Sequence, residues 1–313
     1  MHASISTALL GVSPAFMLSE WGEGFGPKEC AESLRKVAAM GFGAFQLEVF
    51  HQDQLSAWSV ANCRLVRDRA LELGLVSTQL VGHFMLDRLS TTGGLSDPGS
   101  LEQAKRLVEI VSRFPDCRII TLPVGPWEDV WTGLLEGDFG HLRDLIRRFA
   151  DRVAEIVTIV VEAGVKLALE VLPFSILGGS EGFLRLAAEV GSPCLGYNLD
   201  TGHLWACKEA PHFAVLKLTG RIFGTHLCDN FANESLKLRP GAGSIVWEGL
   251  FHALRASGYA GSLDLEIRCM PGELEREYAA GLSYVKNLLA GVDGKSQRTT
   301  GQGPTAYTGG CIW

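Results

Sequence analysis

A chain of 313 residues, 47% of them apolar, can bury a large core, which excludes wholesale disorder. Its formal charge of −7 argues against a nucleic-acid backbone binder, whose mark is a basic face. No apolar run approaches the roughly 18 residues needed to span a bilayer, so no membrane partner is expected.

Short apolar segments alternate with helical patterns along the chain. Strands are predicted at Ile5–Val12, Ala44–Phe50, Leu75–His83, Arg118–Val124, Lys166–Leu172, Leu195–Asp200, Ile222–Leu227 and Ser262–Arg268. Between them lie helix-like stretches, among them Lys28–Met40, Val60–Leu73, Leu101–Phe114, Leu142–Ala163 and Trp247–Ala256. Gly41, Gly74, Gly164, Gly191 and Gly258 stand just before strands, as expected where a helix stops. This alternation means βαβ units and a parallel sheet. Eight repeats predict an α/β fold, a (β/α)8 TIM barrel in a single domain over residues 1–291. An open dinucleotide-binding sheet would carry G-x-G-x-x-G after its first strand, and that fingerprint is absent. Residues 292–313 are rich in Gly, Ser and Thr and are expected to form a flexible, disordered C-terminal tail.

The eight cysteines form no C-x-x-C pair and no zinc-finger spacing. Scattered thiols of this kind read as reduced core residues. Met1-His2-Ala3-Ser4 lacks the basic region of a signal peptide, so a cytoplasmic location is expected.

Residues two apart share a face of a strand. If Leu167, Leu169 and Val171 pack on the helices, Ala168 and Glu170 point into the barrel. The same parity turns inward Asn198 and Asp200, then Gly224 and His226, then Asp264, Glu266 and Arg268. Four successive strands thus aim a carboxylate or imidazole inward near their C-terminal ends, where barrel enzymes build their sites. Bare charges there are costly unless paired or bound to a cation. One nearby arginine is too little for three acids, so one divalent ion is expected. The mostly oxygen donor set suits Mn, Co or Mg, and admits Zn.

Several segments carry a family resemblance: Leu169-Glu170-Val171, Asn198-Leu199-Asp200-Thr201-Gly202-His203, and Thr225-His226-Leu227-Cys228-Asp229-Asn230. Pro240-Gly241-Ala242-Gly243 followed by Trp247, and Asp264-Leu265-Glu266, complete the set. Together they resemble the xylose isomerase-like sugar phosphate isomerase/epimerase superfamily. The resemblance covers the last half of the chain well and the first half by strand rhythm only. It implies that Glu170, Asp200, His226 and Glu266 ligate the metal. It also implies that Glu170 and Glu266 flank the reacting carbon as acid and base, and that His203 holds a substrate oxygen. A metal bridging a carbonyl and its neighbouring hydroxyl would acidify the C–H between them.

Ketose 3-epimerases of this superfamily carry a further glutamate six residues after the strand-five ligand and an arginine six after the strand-seven histidine. Here Ile176 and Ala232 stand at those positions. Arg239 or Arg268 is expected to supply the missing cation. Glu48, with Gln46 beneath it on strand two, and His83 at the end of strand three are further substrate-contact candidates. Trp21, Phe50 and Trp127 follow strands at the mouth and could wall a pocket, whereas ordinary loop packing explains any one of them. Cys228 and Cys269 lean outward or onto loops by parity.

The expected function is a metal-dependent isomerase or epimerase of a small sugar or polyol-derived ketone, working through a cis-enediolate. A dehydratase of a keto-inositol-like substrate is the nearest alternative, since the same intermediate can expel a β-hydroxyl. An AP-endonuclease-like nuclease fits poorly, because Ile119-Ile120-Thr121-Leu122-Pro123 has no histidine and the charge is acidic. A non-catalytic sugar-binding barrel also stays open. The expected partner is a small carbohydrate substrate, and a homo-oligomer stays open.

Overall fold

The computed structural model describes residues 5–127 and 139–296. Its strands are β1 (Leu10–Val12), β2 (Ala44–Val49), β3 (Val76–Gly82), β4 (Ile119–Val124), β5 (Lys166–Val171), β6 (Leu195–Asp200), β7 (Ile222–His226) and β8 (Leu263–Leu265). All pair in parallel, in the order β7-β6-β5-β4-β3-β2-β1-β8. The ends of that sheet meet. Leu227 N–H donates to Asp264 O at 2.8 Å and Glu266 N–H donates to Leu227 O at 3.0 Å, closing the ring.

Helices fill the connections, and the sequence sets their limits. Pro27 and Pro211 open helices Pro27–Ala39 and Pro211–Lys217, where a missing N–H costs nothing. Ser59 caps helix Val60–Glu72 by accepting the N–H of Asn62 at 3.3 Å. The five predicted glycine stops all have left-handed φ, from 67° at Gly74 to 84° at Gly41. No helix among the described residues is long and apolar enough to cross a membrane.

Alternation splits each strand between two environments. On β5, Leu167, Leu169 and Val171 join Val153, Val157 and Val160 of helix Phe139–Glu162 in the apolar shell. Each fully buried side chain of this size contributes about 1.5–3 kcal/mol. The opposite faces build a polar barrel interior. Thr121 Oγ1 donates to Gln79 Oε1 at 2.5 Å, and Gln79 Nε2 donates to Asn198 Oδ1 at 3.1 Å. Gly224 makes room for this chain of bonds, because a Cβ there would lie 2.5 Å from Gln79 Oε1 and 2.6 Å from Asn198 Oδ1.

Two strand ends and the start of the tail differ from the sequence reading by more than one residue. Ile5–Thr7 is a 3-10 turn, and β1 begins only at Leu10. β8 ends at Leu265, because beyond Glu266 the chain pairs with a loop: Arg268 N–H donates to Lys237 O at 2.9 Å. The last helix, Leu274–Ser296, runs past residue 291. Val292 is buried within it, and Arg255 Nη1 donates to its carbonyl at 3.0 Å. The remaining tail, 297–313, lies outside the described residues, as do 128–138 after Trp127.

Candidate metal centre and active site

Glu170, Asp200 and His226 are the last or next-to-last residues of β5, β6 and β7, and Glu266 directly follows β8. Each strand ends on the same rim of the barrel, so the four side chains converge. One donor atom from each lies within 4.8 Å of all the others. His226 Nδ1 is 2.8 Å from Glu170 Oε1 and 3.5 Å from Glu266 Oε1, and its Nε2 is 2.8 Å from Gln46 Oε1. Asp200 Oδ1 accepts the N–H of His203 at 2.8 Å and so caps helix Thr201–Ala206. His203 Nε2 stands 3.2 Å from Asp200 Oδ2 and 3.7 Å from Glu170 Oε1.

The donor set fits a divalent ion. Three carboxylate oxygens and one imidazole nitrogen at about 2.2 Å from a common centre would lie no more than about 4.4 Å apart. The observed cluster therefore needs a contraction of only a few tenths of an ångström.

The cluster's electrostatics follow from crowding three carboxylates in a buried space. Burial opposes the imidazolium of His226, but Glu170 and Glu266 outweigh it and raise His226 to about 10. Burial would lift Asp200, yet His203 and Lys237 hold it well below the usual carboxylate range. Burial also acts to lift Glu170, and His226 holds it down. Burial raises Glu266 to about 7, against the pull of Lys237 and His226. Like charges that share a site favour keeping a proton on one of them. Burial and the nearby Glu266 push Glu48 well above the carboxylate range, and its Oε2 has no hydrogen-bond partner among the described residues. Burial lowers His203 to about 4, so its ring is neutral.

A cavity of about 290 Å³ opens over the donors and is lined by Glu48, Phe50, His83, His203, Lys237 and Arg268, besides Glu170, His226 and Glu266. Phe50 and His83 form one wall, their rings stacked 4.1 Å apart and 7° from parallel. Four of the five predicted substrate contacts, His203, Arg268, Glu48 and His83, thus line the cavity.

Arg239 does not. Its Nε pairs with Glu277 Oε2 of the last helix at 3.3 Å, away from the cavity. Trp21 is half-exposed and donates to Ser33 Oγ at 2.8 Å, and Trp127 packs edge-on to Phe149; neither lines the cavity. Cys228 corrects the parity argument in the other direction. It is buried with Sγ 3.5 Å from Asp200 Oδ1, because it stands two residues after His226 and so falls on the same inward face. Burial and Asp200 push its thiol well up, so it stays protonated.

Lys237 is absent from the expected set. Its Nζ lies 2.5 Å from Asp200 Oδ2, bonds Glu266 Oε2, and stands 3.3 Å from His203 Nε2. It sits on a loop after β7, where no strand or helix period announces a side chain's direction.

The chain is a closed parallel barrel with a group of side chains at its C-terminal rim that could hold a metal ion. The sequence profile of the xylose isomerase-like TIM barrel matches residues 34–288, and the chain belongs to that family. An uncharacterized protein from Sinorhizobium fredii is 31% identical over 127 residues, 39% of this chain and 38% of that one. L-ribulose-5-phosphate 3-epimerase from Salmonella typhi is 27% identical over 144 residues, 46% of this chain and 51% of that one. The chain thus spans about half or less of the length of these two relatives. The solved structure of an L-ribulose 3-epimerase superposes with a TM-score of 0.73 at 17% identity, covering 96% of this chain and 100% of that one.

Proposed function

We propose that this protein is a divalent-metal-dependent epimerase or isomerase of a small ketose or related polyol-derived ketone, acting in the cytoplasm. The observation that carries the reading is the convergence of Glu170, Asp200, His226 and Glu266 beneath one cavity, with Glu170 and Glu266 arriving from β5 and from beyond β8. The names of two of the similar proteins, an L-ribulose-5-phosphate 3-epimerase and an L-ribulose 3-epimerase, point to the same substrate class.

A divalent ion held by the four donors, of which Mn, Co and Mg suit them best, would polarise a carbonyl and its neighbouring hydroxyl. The chain's own groups do the rest. Glu170 and Glu266 remove and return the proton at the carbon between those oxygens. Neutral His203 hydrogen-bonds a substrate oxygen. Arg268 at the exposed rim and His83 on the Phe50 wall orient the distal hydroxyls.

One observation favours a second reading on the same site. Glu48 is buried, faces the cavity and is held protonated, which suits donation to a departing hydroxyl and hence dehydration of a keto-inositol. Metal analysis of the purified protein, followed by turnover of Mn-loaded protein on a panel of ketoses and keto-inositols, tests both. Inversion beside the carbonyl of a ketose supports the first reading and loss of water supports the second. A metal-loaded protein inert on the whole panel would sink both.

A further inference from the structure

The donor cluster contains a permanent cation of the chain's own. Lys237 is 17% exposed and lines the cavity, while its ammonium bridges oxygens of two separate metal donors and stands beside His203. Its backbone is fixed from both sides. Arg268 N–H donates to Lys237 O at 2.9 Å, and the next residue, Leu238, exchanges both backbone hydrogen bonds with Asp229 at 2.8 and 3.0 Å. Asp229 is itself buried, and its carboxylate takes the N–H groups of Gly241 and Ile245 and the indole N–H of Trp247. The loop therefore holds Lys237 in a left-handed conformation that lysine rarely adopts, with φ of 51°.

A buried lysine against two carboxylates reads first as charge balance. Its position goes further. Glu266 and His203 both line the cavity over the donors, and Lys237 contacts both. Of the two permanent cations lining the cavity, Lys237 and Arg268, it is Lys237 that bonds the donors. Charge points the same way. Three carboxylates against a divalent ion leave one unit of negative charge, which would repel an anionic intermediate. Lys237 cancels it.

We propose that Lys237 is a catalytic residue that donates to the substrate oxygen on which negative charge develops. The assignment rests on the epimerase reading above. In that step a carboxylate takes the proton from carbon, the C–H electron pair becomes the C=C bond of the enediol system, and the carbonyl π pair moves onto oxygen. The Lys237 ammonium hydrogen-bonds that oxygen and keeps its own proton. Return of a proton to carbon restores the carbonyl, and no oxidant or reductant is consumed.

Two probes test this without turnover: Mn2+ alone, and oxalate, a planar dianion that imitates the enediolate oxygens. In calorimetric titration, Lys237→Met should bind Mn2+ about tenfold more tightly than wild type, since a neighbouring positive charge is gone. On Mn-saturated protein its oxalate affinity should fall about 10- to 100-fold, the range expected for losing a hydrogen bond to a charged group. Lys237→Arg should keep most of the oxalate affinity, and Lys237→Gln serves in place of the methionine variant should that one fail to fold. Unchanged oxalate affinity in the uncharged variants overturns the proposal. Loss of Mn2+ binding in them also overturns it, because Lys237 would then merely support the donors. Wild type that binds both probes yet converts no ketose counts against the epimerase reading alone.

Discussion

Gln46 Oε1 lies 2.8 Å from Nε2 of His226, on the side of the ring opposite the carboxylates. Gln46 Nε2 is in turn directed at Thr225 O at 3.4 Å, which fixes the amide with its oxygen toward the imidazole. Nε2 of His226 therefore keeps its hydrogen, and the Nδ1 proton, held against Glu170 and Glu266, is the one a bound metal would displace. An outer partner of this kind sets both the tautomer and the ring orientation of a metal-binding histidine. Replacing Gln46 by Leu should weaken Mn2+ binding about 10- to 100-fold with little change in the far-UV circular dichroism spectrum. Calorimetric titration with Mn2+ checks it, and an unchanged affinity would show that the ring is held by other means.

The four donors should act as a unit. Asp200→Asn or His226→Ala is expected to lower metal content after dialysis, measured by elemental analysis. Both should also lower the melting temperature of metal-loaded protein, because a ligand that binds the folded state stabilises it by RT ln(1 + [L]/Kd). Full metal retention in both variants would remove the metal centre from the account.

These donors were legible in the sequence because β5, β6 and β7 are regular, so a period of two assigns Glu170, Asp200 and His226 to one face. Gln46 and Glu48 followed from the same rule on β2. Lys237 was not legible, because a left-handed loop residue obeys no period. Arg239 was offered as the missing cation, and its partner, Glu277, lies on a helix the reading did not predict. That helix had a signal: Leu274, Tyr278, Leu282, Val285, Leu289 and Val292 recur at helical spacing and are all buried.

The barrel interior also makes stability depend on pH. Burial raises Asp264 to about 6, with Ser262 and Gln46 pulling the other way. Unfolded, the group should titrate near its ordinary value of 3.8. As pH rises past that value the unfolded chain loses the proton and the folded chain keeps it, so stability falls. The loss levels off above about pH 7 and totals about 3 kcal/mol. Asp264→Asn removes this term, so its stability relative to wild type should rise between pH 4.5 and pH 7 and then flatten. Urea denaturation across that range reads the difference. A difference that stays flat with pH would place the folded-state carboxyl near its ordinary range.

Glu170 and Glu266 reach the cluster from strand positions separated by β6 and β7, and both face Nδ1 of His226, at 2.8 and 3.5 Å. Carboxylates converging from different sides suit proton removal by one and return by the other. The competing chemistry is a metal-assisted hydride shift, in which the migrating hydrogen never meets solvent. A proton resting on a carboxylate exchanges at least partly with water before delivery. Turnover in D2O should therefore place deuterium at the reacting carbon, seen as loss of its proton signal and a one-unit mass increase in product. Glu170→Gln and Glu266→Gln should each lower kcat by about 10²–10⁴-fold, and by more where donor geometry is also disturbed. Metal content measured on the same preparations separates the two causes. A variant that keeps its metal and loses turnover has lost the acid or base, whereas one that loses both has lost the centre. Product free of solvent deuterium, from active enzyme on its true substrate, would assign the reaction to the hydride shift. Near-normal turnover by either glutamine variant would strip that carboxylate of its proton-transfer role.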